Sequence, residues 1–173
     1  MRKVLLVIDM QTDFVDGALG TAEAVAIIPN VLREITKYEK SNIIATRDTH
    51  PDEYMETREG RHLPVPHCIK GTSGWQLYPA IAPALEGCFV IDKPTFGSTE
   101  LCDHIVKLAS EEDIEVTLIG LCTDICVVSN AMLIKAALPE IEVSIVADAC
   151  AGVTPDTHSA ALTTMKMCQI NVI

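Results

Sequence analysis

Four sets of reactive side chains stand where short apolar runs of this 173-residue chain end. Asp9 closes VLLVI, Asp48 and His50 follow NIIAT, Lys93 follows CFVID, and Cys126 lies in GLCTDIC just after VTLIG. Cys126 is the candidate nucleophile. In the first turn of a helix a thiol meets the positive end of the helix dipole, which lowers its pKa, and free backbone N–H groups that can hold an oxyanion. Thr123 and Asp124 are the expected caps of that helix. A thiol nucleophile needs a base that takes its proton and returns it to the leaving group. No histidine but His50 stands at a strand end, so Asp9 is the candidate base, its pKa raised by burial into a range useful for proton transfer. Lys93 would hold the Asp9 charge in place and stabilise the thiolate.

A second constellation is Asp48-x-His50 with His67 and one acid between them. Nitrogen plus carboxylate ligation with open positions suits zinc first, and also iron or manganese. The acid is one of Asp52, Glu53, Glu56 and Glu59, and spacing does not choose among them. His104 and His158 read as solvated loop residues. Cys88, Cys102, Cys150 and Cys168 read as small hydrophobes in strands or on apolar helix faces. Cys122 and Cys126 form C-x-x-x-C, not the redox C-x-x-C.

The elements that must position these groups are legible as a pattern. Runs at 4–8, 42–46, 88–92, 116–120 and 143–147 are continuously apolar and rich in Val and Ile, as strands of a parallel sheet covered on both faces must be. NVI at 171–173 supplies a sixth. Helical spacing over 21–38, 98–110, 123–138 and 154–167 alternates with them, so the chain is expected to form an open, doubly wound α/β domain over 1–173. In such a sheet ligands bind beyond the carboxyl ends of the strands, where the reactive residues cluster. The segment 49–83 has no convincing strand, and its Trp75, Tyr54 and Tyr78 mark it as an ordered loop contributing to the active site, with Trp75 as a substrate contact.

Composition narrows the partners. Net charge is −11 with no run of Lys or Arg, which lacks the basic footprint of a nucleic-acid or anionic-membrane binder. No apolar stretch approaches the roughly 18 residues of a membrane span, and the run at 4–8 is too short for a signal segment. Seven cysteines, an odd number without scaffold spacing, argue against a disulfide framework. The expectation is a cytoplasmic protein with reduced thiols that acts on a small molecule, with neither nucleic acid nor membrane as partner.

DMQTDF at 9–14, the D-x-H at 48–50, PHCIKGT at 66–72, Lys93 and GLCTDICV at 120–127 together resemble, in order and over essentially the whole chain, the isochorismatase-like cysteine hydrolases, and among them the nicotinamidases. The resemblance implies a three-layer α/β/α fold around a six-stranded parallel sheet and a catalytic triad of Asp9, Lys93 and Cys126. It implies a cis peptide before Cys122 and an oxyanion hole made by the backbone N–H groups of Cys122 and Cys126. It also implies a divalent metal on Asp48, His50, His67 and Glu59, with a nicotinamide ring stacked on Phe14 and its pyridine nitrogen on the metal. Relatives commonly assemble as homo-oligomers. The same triad would serve another small amide, a ureido compound or a vinyl ether; a reading from another class makes the chain a non-catalytic binding or assembly module on this fold.

Overall fold

The computed structural model describes all residues, Met1–Ile173. Six strands form one sheet: β1 (Arg2–Ile8), β2 (Ile43–Asp48), β3 (Phe89–Lys93), β4 (Ile114–Leu121), β5 (Glu142–Ala151) and β6 (Asn171–Val172). Their order is β3-β2-β1-β4-β5-β6 and every pair is parallel. The chain winds outward from β1 to β3, returns to lay β4 beside β1, and winds outward again. The winding direction reverses between β1 and β4, which stay paired to Ile8 and Gly120, and the segments that follow them leave a crevice beyond the strand ends. Asp9 and the Cys122–Cys126 turn flank that crevice.

Helices cover both faces. α1 (Thr12–Val15), α2 (Ala22–Ala26) and α3 (Ile28–Ile35) lie on one side, while α5 (Thr99–Glu111), α6 (Val128–Ala137) and α7 (Pro155–Met167) lie on the other; the short α4 (Arg58–His62) stands in the 49–83 segment. Alternation along β1 shows the two cores. Val4, Leu6 and Ile8 pack with Leu101, Ile105, Ile134 and Met165, whereas Leu5 and Val7 pack with Phe14, Val31 and Ile35. A strand buried on both faces has no polar alternation to display, which is why its sequence reads as a continuous apolar run.

Helix boundaries follow side-chain chemistry, with three departures from the sequence expectation. Ser98 and Thr154 cap α5 and α7 by accepting from Leu101 N–H and Thr157 N–H. The expected helix over 21–38 is broken into α2 and α3 at Ile27, because Pro29 lacks the N–H that a continuous helix would place against Val25. The expected helix over 123–138 begins as a π-helical turn, Thr123–Val127, before α6. The 49–83 segment holds 3₁₀ turns at Tyr54–Glu56 and Ala82–Leu85 as well as α4, whose N-cap Thr57 accepts from Gly60 N–H. No helix is long and apolar enough to cross a membrane.

At the crevice the backbone is closely packed. Gly120 has φ +114°, and a Cβ there would stand 2.1 Å from the carbonyl oxygen of Ile8, the residue before Asp9. Asp9 itself has φ 47°, which turns the chain sharply out of β1. Gly120→Ala is therefore expected to lower stability by about 2–4 kcal/mol, read from the urea midpoint, by forcing β1 and β4 apart.

Candidate active site and metal centre

Lys93, at the end of β3, is wholly buried and connects three of the four sets of reactive groups. Its Nζ lies 2.7 Å from Asp9 Oδ2, 3.4 Å from Cys126 Sγ and 3.5 Å from Asp48 Oδ1, and it donates to the Thr95 carbonyl at 3.1 Å. Asp9 Oδ1 accepts from the Thr46 hydroxyl at 2.6 Å. Burial works to lower the Lys93 pKa, but the carboxylates of Asp9 and Asp48 outweigh it and hold the ammonium protonated. Asp9 titrates above the usual carboxylate range because burial and the Asp48 charge outweigh the pull of Lys93.

Cys126 sits in the π-helical turn, almost completely buried. Its pKa moves opposite to the sequence expectation: burial and the Asp9 charge push the thiol well up, and Lys93 only partly opposes them. A dipole effect of a few tenths to one kcal/mol per terminus is small beside desolvation of a thiolate. Cys126 at rest is therefore a neutral thiol. The cap expectation also fails. Cys122 occupies the N-cap position without a side-chain bond; the Thr123 hydroxyl pairs with His158 Nδ1 at 2.8 Å, and the Asp124 carboxylate accepts from Val153 N–H at 3.1 and 3.2 Å. The Leu121–Cys122 peptide is cis.

Asp48, His50, Glu59 and His67 converge, one donor atom from each lying within 4.8 Å of all the others. His50 Nε2 is 2.8 Å from Asp48 Oδ2, and His67 Nε2 is 3.7 Å from Asp48 Oδ2 and 3.6 Å from Glu59 Oε1. Of the acids in the segment, only Glu59, carried by α4, joins the cluster; Asp52, Glu53 and Glu56 are exposed. Donors this far apart suit a cation about 2.0–2.2 Å from each. The His67 Nδ1 is engaged by the Val65 carbonyl at 2.8 Å, which leaves Nε2 with its lone pair toward the cluster. The buried charge balance also fits, since Asp9, Asp48 and Glu59 face the ammonium of Lys93 alone, and a dication would offset the excess.

Several supporting residues escaped the sequence reading. Gln11, fully buried, donates through Nε2 to the carbonyls of Asp48 and Trp75, both at 2.8 Å, and accepts from Asp48 N–H at 2.7 Å. Asp13 accepts from Cys68 N–H at 2.8 Å, and His50 N–H donates to the Cys68 carbonyl at 3.0 Å, so the two histidine loops are joined. Tyr54 packs its ring edgewise against both His50 and His67 and donates to the Leu63 carbonyl. The signal was a polar residue inside an apolar environment, visible only once burial is known.

A small cavity opens on this machinery, lined by Phe14, Asp48, Glu59, His67, Phe96 and the Cys122–Cys126 turn. Phe14 lies at its wall, its ring 5.5 Å from that of His67. Trp75 does not line it. Its ring carries the Arg47 guanidinium at 3.7 Å and its Nε1–H donates to Thr49 at 2.8 Å, so it braces the loop after β2 instead of meeting a substrate. His104 and His158 are not solvated loop residues either: His104, on α5, stacks on Phe89, and His158, on α7, holds Thr123. Of the four cysteines read as buried hydrophobes, Cys102 and Cys150 are buried, while Cys88 and Cys168 lie at the margin just outside β3 and α7.

Because Gln11 fixes both the N–H and the C=O of Asp48, Gln11→Ala is expected to weaken divalent-cation binding about 10–100-fold in a competitive chelator titration with zinc as the probe ion. The loss should appear without a comparable fall in helical content by circular dichroism.

The isochorismatase-domain family matches residues 3–173. The chain is 27% identical to the nicotinamidase/pyrazinamidase of Mycobacterium tuberculosis, over 99% of this chain and 98% of that one. It superposes on the crystal structure of a nicotinamidase/pyrazinamidase from Bacillus subtilis with a TM-score of 0.85, at 29% identity and over 99% of both chains. A pyrazinamidase of Pyrococcus horikoshii, solved in complex with zinc, superposes with a TM-score of 0.81 at 29% identity, over 100% of this chain and 99% of that one. The expected six-stranded parallel sheet, its helical layers and these full-length matches agree, and the chain belongs to the isochorismatase family.

Proposed function

We propose that this protein hydrolyses the carboxamide of nicotinamide to nicotinate and ammonia through a thioester on Cys126. The observation that carries the reading is that one cavity is lined both by Cys126 and by Asp48, Glu59 and His67, so that a single small molecule can meet the nucleophile and a bound cation together. Relatives and structural neighbours named nicotinamidase or pyrazinamidase support the choice of amide.

The residues divide the work as follows. Asp9 takes the proton of Cys126, and the thiolate sulfur forms a bond to the amide carbon while the carbonyl electrons move to oxygen. Backbone N–H groups of Cys122 and Cys126 hold that oxyanion. Asp9 returns the proton to nitrogen as the C–N bond breaks and ammonia leaves. Asp9 then accepts a proton from water, whose oxygen attacks the thioester; nicotinate departs and Cys126 regains its proton. Lys93 keeps its charge throughout and fixes Asp9 and Cys126 relative to each other. Asp48, His50, Glu59 and His67 would hold zinc, a Lewis acid suited to anchoring the pyridine nitrogen while the ring lies against Phe14. In this reading the enzyme is cytoplasmic, serves NAD salvage as a homo-oligomer, and has neither nucleic acid nor membrane as partner.

Cys126→Ala is expected to reduce ammonia release from nicotinamide by at least about 10³-fold while leaving zinc binding intact, and removal of metal by a chelator should raise KM steeply. Ammonia release by Cys126→Ala at the rate of the unaltered protein would overturn the covalent scheme. The pH dependence has a definite sign. Asp9 must be ionised to accept the thiol proton, and burial raises its pKa, so kcat/KM should fall on acidification at a pH above the ordinary carboxylate range. Asp9→Asn should abolish turnover, not displace that limb.

A further inference from the structure

Cys126, Asp48 and His67 open on a cavity of only about 40 Å³, room for about one water molecule, whereas sites for drug-sized ligands span roughly 300–1,000 Å³. A ring-bearing amide does not fit that volume as it stands, nor the adjoining cavity of about 100 Å³ that shares Phe14, Cys122 and Ile125 with it, so a wall must move. Half of the eight lining residues, Phe14, Asp48, His67 and Cys126, are buried at the ends of packed elements, and Glu59, Cys122 and Ile125 are partly buried. Phe96 is the exception. It is 45% exposed, the most exposed residue of the lining, and its other side faces a second cavity of about 400 Å³ between α4 and residues 94–96, open enough to receive a rotated ring.

The backbone beneath Phe96 is held. Lys93 Nζ donates to the Thr95 carbonyl at 3.1 Å; Asn130 Nδ2 donates to the Phe96 carbonyl at 3.2 Å and to that of Cys126 at 2.8 Å; Asn130 Oδ1 accepts from Ser98 N–H at 2.9 Å. A Cβ on Gly97 would lie 2.7 Å from the terminal methyl of Leu133, so the backbone there packs closely on α6. A fixed backbone with an exposed side chain turns about its own χ angles, not by loop movement. Phe14 and Phe96 bound the cavity from two separate elements, α1 and the loop after β3.

We propose that Phe96 is the specificity-determining gate of the site. Its ring turns toward the outer cavity to admit substrate and returns to close on the exposed face of a planar aromatic amide whose other face lies on Phe14. The inference rests on the amide-hydrolase reading above and names the substrate class of the same site: flat, ring-bearing amides over aliphatic ones.

The test uses zinc-loaded protein and the variants Phe96→Ala, Phe96→Leu and Phe96→Tyr. For nicotinamide, Phe96→Ala should raise KM about tenfold with kcat changed less than about threefold; Phe96→Leu should fall between, and Phe96→Tyr should restore the original KM. With propionamide, kcat/KM should be nearly unchanged, so the ratio of aromatic to aliphatic turnover collapses. A variant that loses kcat on both amides equally, or keeps both KM and the ratio, overturns the proposal. Binding separates this from failure of the hydrolase reading. The affinity of the Cys126→Ala protein for benzamide, measured calorimetrically, should fall about tenfold when Phe96→Ala is added. That loss in a protein whose parent releases no ammonia would leave the gate standing and remove the hydrolase reading. No binding of benzamide, or binding indifferent to Phe96, removes the gate even if turnover is intact.

Discussion

The ammonium of Lys93 is the constraint on which the site depends. An unpaired ammonium with no solvent exposure would lose several kcal/mol of hydration, so Lys93 is tenable only with carboxylates beside it. Asp9 at 2.7 Å and Asp48 at 3.5 Å supply them, and each is there because of where its strand ends. β3, β2 and β1 are consecutive neighbours in the sheet, with Asp48 paired in register to Lys93. A slip of one residue would point Lys93 to the opposite face and leave three buried charges unmatched. The charge cluster and the register therefore enforce each other.

Much of this was legible in the sequence, and the reason is the parallel sheet. Buried parallel strands announce themselves by continuous apolar runs, so the polar residues just beyond each run are located without knowing the fold. That is how Asp9, Asp48, Lys93 and the Cys126 turn could be found. Glu59 was not separable from its neighbours by spacing alone. It joins the cluster because Thr57 caps a five-residue helix whose geometry turns that one carboxylate inward. Family likeness could choose it, whereas local pattern could not.

What stayed hidden in the sequence is the polar packing. Trp75, in a segment rich in reactive residues, looked like a substrate contact, yet Arg47 covers its ring and Thr49 takes its indole N–H. His158 looked solvated, yet it meets Thr123 across the helix layer. Gln11, Thr46 and Asn130 carry no local sign of a partner, but each satisfies backbone or carboxylate atoms more than thirty residues away in sequence. Such partners are set by tertiary geometry, which one-dimensional spacing does not encode.

Two opposing effects meet at Cys126, and their magnitudes decide its protonation. A helix N-terminus favours thiolate, burial favours thiol, and here burial wins. The consequence is favourable for catalysis within a closed cavity. Moving a proton from Cys126 to Asp9 leaves the total charge of the group unchanged: before transfer the negative charge is on Asp9, 2.7 Å from Lys93, and afterwards it is on sulfur, 3.4 Å from the same ammonium. The low-dielectric interior never has to hold an additional charge, only to let one move between two atoms that face a common cation. A thiol ionised in advance would place a third anion beside those of Asp9 and Asp48. In the proposed reaction the sulfur instead stays neutral until Asp9 takes its proton, and the anion is generated only when an amide carbon is there to receive it.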